Sequence, residues 1–254
     1  PAGHILRGQD IGGLMAVGIT AVEVVRRPCV AIFATGDEIV APDQTPQPGQ
    51  IRDVNTYTVA ALAEDAGASV QLAGILADDF DTLLEGVKTV LDDGADMVVL
   101  SAGSSVSVRD MTADVFARLG EPGVLVHGIA TRPGKPTILA VADGVPLIGL
   151  PGNPVSAFVQ FLMVCTPAIY HLQGTTEPKR LYTRAKITTN MASTAGREDY
   201  IPARLVEREG EQWVEPVFFK SNLIFTLVQA DGLMRIPLNT TGVEAGEMVD
   251  IRLF

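Results

Sequence analysis

The sequence predicts an α/β fold: a three-layer, mostly parallel sheet with helices on both faces, followed by a small C-terminal all-β domain. The first observation is that residues 27–174 alternate short, continuous apolar runs with helical patterns. Runs of that kind are strands buried on both faces, as in sheets built from strand–helix–strand crossovers. The second is a change of texture after about Gly174, where short strand-like stretches are separated by Gly, Asn and Thr turns. The third is composition. The 254 residues are 47% hydrophobic and 19% charged, enough for a sizeable core in one large or two smaller domains.

In order along the chain, Ile11–Ile19 reads as a short helix leading into a strand at Val22–Val25, and residues 1–26 form no unit of their own. Val30–Ala34 is a buried strand that stops at Thr35-Gly36-Asp37-Glu38. Asp53 or Asn55 caps a helix running to about Ala66 and ended by Gly67. Val70–Leu76 is the next strand, and Asp78 or Asp79 caps a helix whose apolar face holds Phe80, Leu83, Leu84, Val87, Val90 and Leu91. Met97–Leu100 is a third buried strand feeding the turn Ser101–Ser105, with a helix from about Thr112 to Leu119. Val124–Ile129, Thr137–Val141 and Val145–Ile148 read as strands, and Pro154 opens a long apolar helix to Leu172. Gln160, Pro167 and His171 make that helix a poor membrane span and a good buried element. In residues 175–254, strands are expected at Tyr182–Ile187, Tyr200–Val206, Gln212–Phe218 and Val249–Leu253, with Trp213 and the pair Phe218-Phe219 filling the core.

A net charge of −11 argues against a nucleic-acid backbone as partner, since that binding needs clustered lysine and arginine. A small anion needs only a local positive pocket. Cys29 and Cys165 are far apart and not in a C-x-x-C pair, so the expectation is two reduced thiols in a cytoplasmic protein, without a zinc site or disulfide framework. His4, His127 and His171 show no ligand spacing and read as structural or surface residues.

Ligands of open α/β sheets sit at the carboxyl ends of the strands. The acids Asp37, Glu38, Asp53 and Asp110 fall in or beside such turns and suit a hydrated Mg2+, which is held by one or two carboxylates plus phosphate oxygens. Gly103, Ser104 and Ser105 offer hydroxyls and unhindered backbone N–H groups for an oxyanion. Two Gly/Pro-rich turns stand out. In Arg132-Pro133-Gly134-Lys135-Pro136, Lys135 and Arg132 supply charge on a stiff backbone. In Gly149-Leu150-Pro151-Gly152-Asn153-Pro154-Val155-Ser156, Gly152 and Asn153 open the long helix, with Pro154 at its first position.

Taken together and in order, these segments resemble the molybdopterin molybdenumtransferase family, called MoeA in bacteria and the gephyrin E domain in animals. Thr35–Glu38 is similar to its T-G-D-E motif, Gly49–Asn55 to G-Q-I-x-D-S-N, and Arg132–Pro136 to K-P-G-K-P. Gly149–Ser156 matches G-L-P-G-N-P-V-S in full. Gly196-Arg197-Glu198 and the Ala245-Gly246-Glu247 turn also fit. The chain departs from the family where G-G-V-S-x-G-D-x-D reads Ala102–Asp110. Ser107 stands for a glycine there and Val108 for an acid, and Arg132 replaces the first lysine of its turn. Most of the family's first two domains are absent, so residues 1–26 are expected to be a remnant of them.

The resemblance implies an enzyme of molybdenum cofactor biosynthesis that inserts molybdate into adenylylated molybdopterin with Mg2+-dependent hydrolysis of the adenylate. It implies catalytic roles for Asp53, Asp110 and Lys135, and metal contacts from Asp37, Glu38 and Asp110. Substrate or anion contacts would come from Thr35, Gly36, Gly103, Ser104, Ser105, Arg132, Pro136, Gly152 and Asn153. It further implies a cytoplasmic homodimer with small-molecule substrates and a molybdopterin adenylyltransferase as partner. The alternative is a non-catalytic molybdate- or pterin-binding or scaffold relative of the same fold.

Overall fold

The computed structural model describes residues 2–102, 106–176, 178, 182–218 and 222–254, and for 106–109 the backbone alone. The first part runs α1 (Gly8–Ala16), β1 (Cys29–Thr35), β2 (Ile39–Val40), β3 (Ile51–Arg52), α2 (Asn55–Asp65), β4 (Ser69–Leu76), α3 (Phe80–Asp92) and β5 (Met97–Ala102). It continues with α4 (Val106–Phe116), β6 (Pro122–His127), β7 (Thr131–Arg132), β8 (Ile138–Ala142), β9 (Val145–Pro151), α5 (Pro154–Gln160) and α6 (Thr166–Leu172). The second part holds β10 (Tyr182–Ile187), β11 (Met191–Ala192), β12 (Glu198–Arg208), β13 (Glu211–Pro216), α7 (Phe225–Val228), β14 (Gly232–Ile236), β15 (Gly242–Val243) and β16 (Met248–Leu253).

Successive side chains of a strand point to opposite faces. In β1, Val30 and Ile32 therefore join one core with Val59, Ala63, Phe161 and Ile169, while Ala31 and Phe33 join the other with Leu83, Val87, Val115 and Phe116. Both faces of the strand need cover, which α2 and α5–α6 supply on one side and α3 and α4 on the other. The sheet order is β4-β1-β5-β9-β8-β6. The β4·β1, β1·β5 and β5·β9 pairs are parallel, and β9·β8 and β8·β6 are antiparallel. The parallel strands β1, β5 and β9 thus end at one edge, delivering Thr35, Ser101 and Pro151 together.

The long helix is apolar all round because it is buried on two sides. Ala157 and Phe161 pack on the sheet, whereas Val155, Val159 and Leu162 pack against Leu227 and Leu233 of the second part. Between α5 and α6 the residues Phe161–Cys165 form a π turn, in which the Thr166 N–H donates to the Phe161 carbonyl five residues back. Pro167 explains it: proline has no N–H and its ring collides with the carbonyl four residues earlier, so the turn widens. Pro154–Leu172 is the one stretch of the described residues long and apolar enough to cross a membrane, and 56% of its apolar window is buried inside the protein.

The second part is a six-stranded sheet, β13-β10-β16-β14-β12-β7, with β13 also pairing β12. Its sixth strand, β7, comes from the first part: Thr131 and Arg132 pair in parallel with Glu198 and Asp199.

Several expectations are corrected. Val22–Val25 is not a strand, since none of the described residues pairs with it, and Val22, Val24 and Val25 are exposed. Helix α4 begins at Val106, well before Thr112. The second part is the expected β domain, to which β14 and the single helical turn α7 are additions. Trp213 is only half-buried, with Lys186 and Arg208 over its ring, and Phe218 is 74% exposed. Phe219 lies outside the described residues.

Candidate functional site

Two cavities open where the parallel strands end. The first, about 540 Å³, is lined by Thr35, Glu38, Asp53, Asn55, Ser101 and Gly152, among others. The second, about 850 Å³, is lined by Arg132, Lys135, Pro136, Ser156, Gly196 and Arg197. Asn153 lines both. Each lies in the size range of small-ligand pockets.

The first cavity is organised by short backbone links. The Ile51 N–H donates to the Glu38 carbonyl (2.8 Å) and the Asp53 N–H to the Val40 carbonyl (2.8 Å), so the two acidic turns are laced together by β2 and β3. Gly36 has φ +147°, and a Cβ there would stand 2.8 Å from both the Glu38 carboxylate and Ile39. Only glycine lets Glu38 fold back so closely. Asp53 is buried, and its carboxylate accepts from the Thr56 N–H (3.1 Å), capping the first turn of α2. Asn55, also buried, donates from Nδ2 to Ser101 Oγ (2.7 Å) and to the Gly152 carbonyl (2.9 Å). One side chain therefore ties the ends of β5 and β9 to α2. At the rim, the Asp37 carboxylate accepts from the Asp78 N–H (3.3 Å). Burial pushes the Asp78 carboxyl above its ordinary value, and the charges of Glu38 and Asp37 add to the rise.

The second cavity is cationic. Lys135 sits in a turn closed by Ile129 N–H to the Lys135 carbonyl (2.8 Å) and Gly128 N–H to the Thr137 carbonyl (2.9 Å). Arg197 reaches it from the other part of the molecule. Its Nε donates to Asp199 Oδ1 (2.9 Å), and Arg132 Nη1 lies 3.9 Å from Asp199 Oδ2. Asp199 is 2% exposed, so one buried carboxylate holds two guanidinium groups at the edge of the pocket. Asn153 stands at the N-cap of α5 with Pro154 after it, yet its side chain makes no capping bond, which leaves the amide facing the two cavities.

Thr35, Glu38, Asp53, Gly152 and Asn153 thus meet around the first cavity, and Arg132, Lys135, Pro136 and Asn153 around the second. The metal trio is not brought together. Asp110 projects from the solvent side of α4, 63% exposed and 4.0 Å from His127. Among the described residues no three His, Cys, Asp or Glu side chains converge on a metal position. Gly103, Ser104 and Ser105 lie outside the described residues. Asp199 is not among the residues the sequence points to; Asn55 enters there as a helix cap and motif residue, and Ser156 and Arg197 only within matching motifs, none of them with a site role. An Asn two residues after the strand-end acid Asp53, at the start of a helix, is the available signal for Asn55.

Residues 31–171 match the family model described as a probable molybdopterin binding domain, and residues 184–254 match the MoeA C-terminal region (domain IV). The chain is 34% identical over 98% of its length to molybdopterin molybdenumtransferase 1 of Mycobacterium tuberculosis, covering 60% of that protein. It is 34% identical to the molybdopterin molybdenumtransferase of a Nostoc species, covering 58% of it. Its fold superposes on the molybdopterin biosynthesis MoeA protein of Pyrococcus horikosii with a TM-score of 0.84 and 34% identity, over 99% of this chain and 60% of that one. The chain thus spans about 60% of the length of these relatives. With a molybdopterin-binding domain over more than half its length and a MoeA-type C-terminal region after it, the chain belongs to the molybdopterin molybdenumtransferase (MoeA) family.

Proposed function

We propose that the chain inserts molybdate into adenylylated molybdopterin, with release of AMP. One observation supports this above the others: an acid-lined cavity and a cation-lined cavity meet at Asn153. A ligand with a phosphoanhydride at one end and an oxyanion acceptor at the other would span them. Hydrolysis adds water across the phosphoanhydride, breaking one P–O bond and freeing AMP. In this reading Lys135, Arg132 and Arg197 hold molybdate as a dianion, and Asn153 orients the phosphates while Asn55 fixes the strand ends around them. Asp53 faces the attacking water from a fixed rotamer, because its carboxylate is already tied to the Thr56 N–H.

The donor chemistry of the first cavity fits Mg2+. Glu38 and Asp53 are two carboxylates among the residues lining this cavity, and Mg2+ on a phosphate substrate typically takes one or two carboxylates plus phosphate and water oxygens. When bound there, the ion would neutralise charge developing on the phosphoryl oxygens. Asp110 has no part in this set.

We further infer a homodimer, since α1 has no buried residue and exposes Ile11 and Met15, a face that a second copy would cover. An adenylyltransferase would supply the substrate. With both cysteines free, the setting assigned is the cytoplasm.

The deciding experiment measures AMP release from adenylylated molybdopterin with Mg2+ and molybdate. Release is expected, and Asp53→Ala should reduce it by about 10²-fold while AMP affinity changes little. Substrate binding without release would favour the scaffold reading.

A further inference from the structure

We propose that Gln160 is the positioning residue that holds the cationic turn in register with the Asn153 end of α5. The proposal rests on the oxyanion pocket assigned above and adds to it a residue that touches no ligand. Gln160 is 0% exposed at the last position of α5. Its amide nitrogen donates to the Pro133 carbonyl (2.7 Å) and to Thr131 Oγ1 (3.0 Å). Both donors of that nitrogen are therefore spent on the segment that carries Arg132 and Lys135.

The fit is close. Gly134 has φ +110°, and a Cβ on it would stand 2.3 Å from Gln160 Cγ and Nε2. The turn thus lies flush on the glutamine amide, and any side chain at 134 would push it away. On the far side, Thr137 Oγ1 donates to the Gly134 carbonyl (2.7 Å). The glutamine has no role in the hydrophobic cores that surround it. Its neighbours Val159 and Phe161 belong to core clusters, whereas its own carbonyl oxygen is buried without a hydrogen-bond partner. A buried amide that leaves its acceptor unsatisfied is costly to keep for packing alone.

Helix α5 is the strut that makes this matter. Asn153 and Ser156 line the cationic cavity at one end, and Gln160 grips the turn at the other. Lys135 is thereby set at a fixed separation from Asn153 by one rigid helix and one bidentate amide. A shift of about 1 Å in a charged group that must meet an oxyanion is enough to change binding strongly.

The test is calorimetry of molybdate and of AMP on the folded chain, with Lys135→Ala as the control for the pocket itself. Gln160→Met keeps length and volume but removes the donors. It should weaken molybdate about tenfold while AMP affinity stays within about twofold. Gln160→Glu, which sets an acceptor against the Pro133 carbonyl, should weaken it further. In the 1H–15N spectrum of Gln160→Met, the Gly134 and Lys135 amides should shift while those of β16 stay in place. Unchanged molybdate affinity in folded Gln160→Met, with Lys135→Ala weakened, overturns the positioning role and leaves the pocket standing. Equal loss of molybdate and AMP affinity overturns it too, because that is general damage to the fold. Unaltered molybdate binding in Lys135→Ala removes the pocket reading and this proposal with it. If Gln160→Met does not fold, Thr131→Val removes one acceptor from the opposite side and should give a two- to threefold loss of molybdate affinity only.

Discussion

The two cavities are neighbours built by different rules. The acidic one draws mainly on the turns at the strand ends of the α/β sheet, with Asn222 added from the second part. Its acids follow β1 and β3, its hydroxyl ends β5, and Asn55 begins the next helix. The cationic one joins three segments remote in sequence: residues 129–136, the Pro151–Ser156 region and residues 195–197. Strand ends in a parallel sheet produce the first kind of site wherever polar turns occur. The second kind needs one domain to press a turn into place for another.

That difference can be broken at its joint. Asp199 is the buried carboxylate shared by Arg197 and Arg132, both of which keep some solvent contact. Asp199→Ala should cost about 2 kcal/mol of stability in urea denaturation and loosen the cationic cavity, with AMP affinity little changed. Equal weakening of both ligands would show that the cavities are one unit.

Asn55 is the corresponding tie on the acidic side. Asn55→Ala removes the bonds to Ser101 and Gly152, for an expected loss of about 1–2 kcal/mol. Here AMP affinity should fall first, and molybdate affinity should hold.

The smallest effect concerns Asp78. Its carboxyl titrates above the ordinary 3.8 because of burial and the nearby charges of Glu38 and Asp37. A folded pKa raised above the unfolded one favours the protonated form. The stability it contributes is complete below pH 3.8 and is lost as pH rises through the folded value. Asp78→Asn should therefore be slightly more stable than the parent at neutral pH and should flatten the stability profile just above pH 4. A variant less stable at pH 7 would show that the charge is held by an attraction outweighing its burial.

The acidic site was largely legible in the sequence because its residues are tied to elements that sequence can reveal. An apolar run that stops at Thr35-Gly36-Asp37-Glu38 locates a strand end, and a strand end in a parallel sheet locates a ligand edge. Asp110 is less direct: the sequence suggests a loop after a strand, whereas α4 begins at Val106 and carries Asp110 with its side chain largely exposed. The cationic turn was legible as a charged, stiff segment, whereas its supports were not. Gln160 sits in a run of apolar helix, and Asp199 in an ordinary β pattern. Their partners lie 27 and 67 residues away in the chain. No local periodicity encodes such a pairing. Phe218 and Trp213 show the converse error: aromatic residues in a β pattern were assigned inward, but the small sheet fills its core with Ile187, Val214, Met234 and Ile251 instead.

The parallel pairing of Thr131 and Arg132 with Glu198 and Asp199 has a consequence for how such a molecule can be divided. A cut at the junction near residue 175 leaves the α/β half with the acidic cleft short of Asn222 alone, but strips the whole flank from the charged turn. Transplanting that half alone would transfer the acid-lined cavity without its cation-lined neighbour. The C-terminal sheet is thus less an appended module than the second jaw of a clamp, and grafts or chimeras of this fold must carry both jaws from one parent.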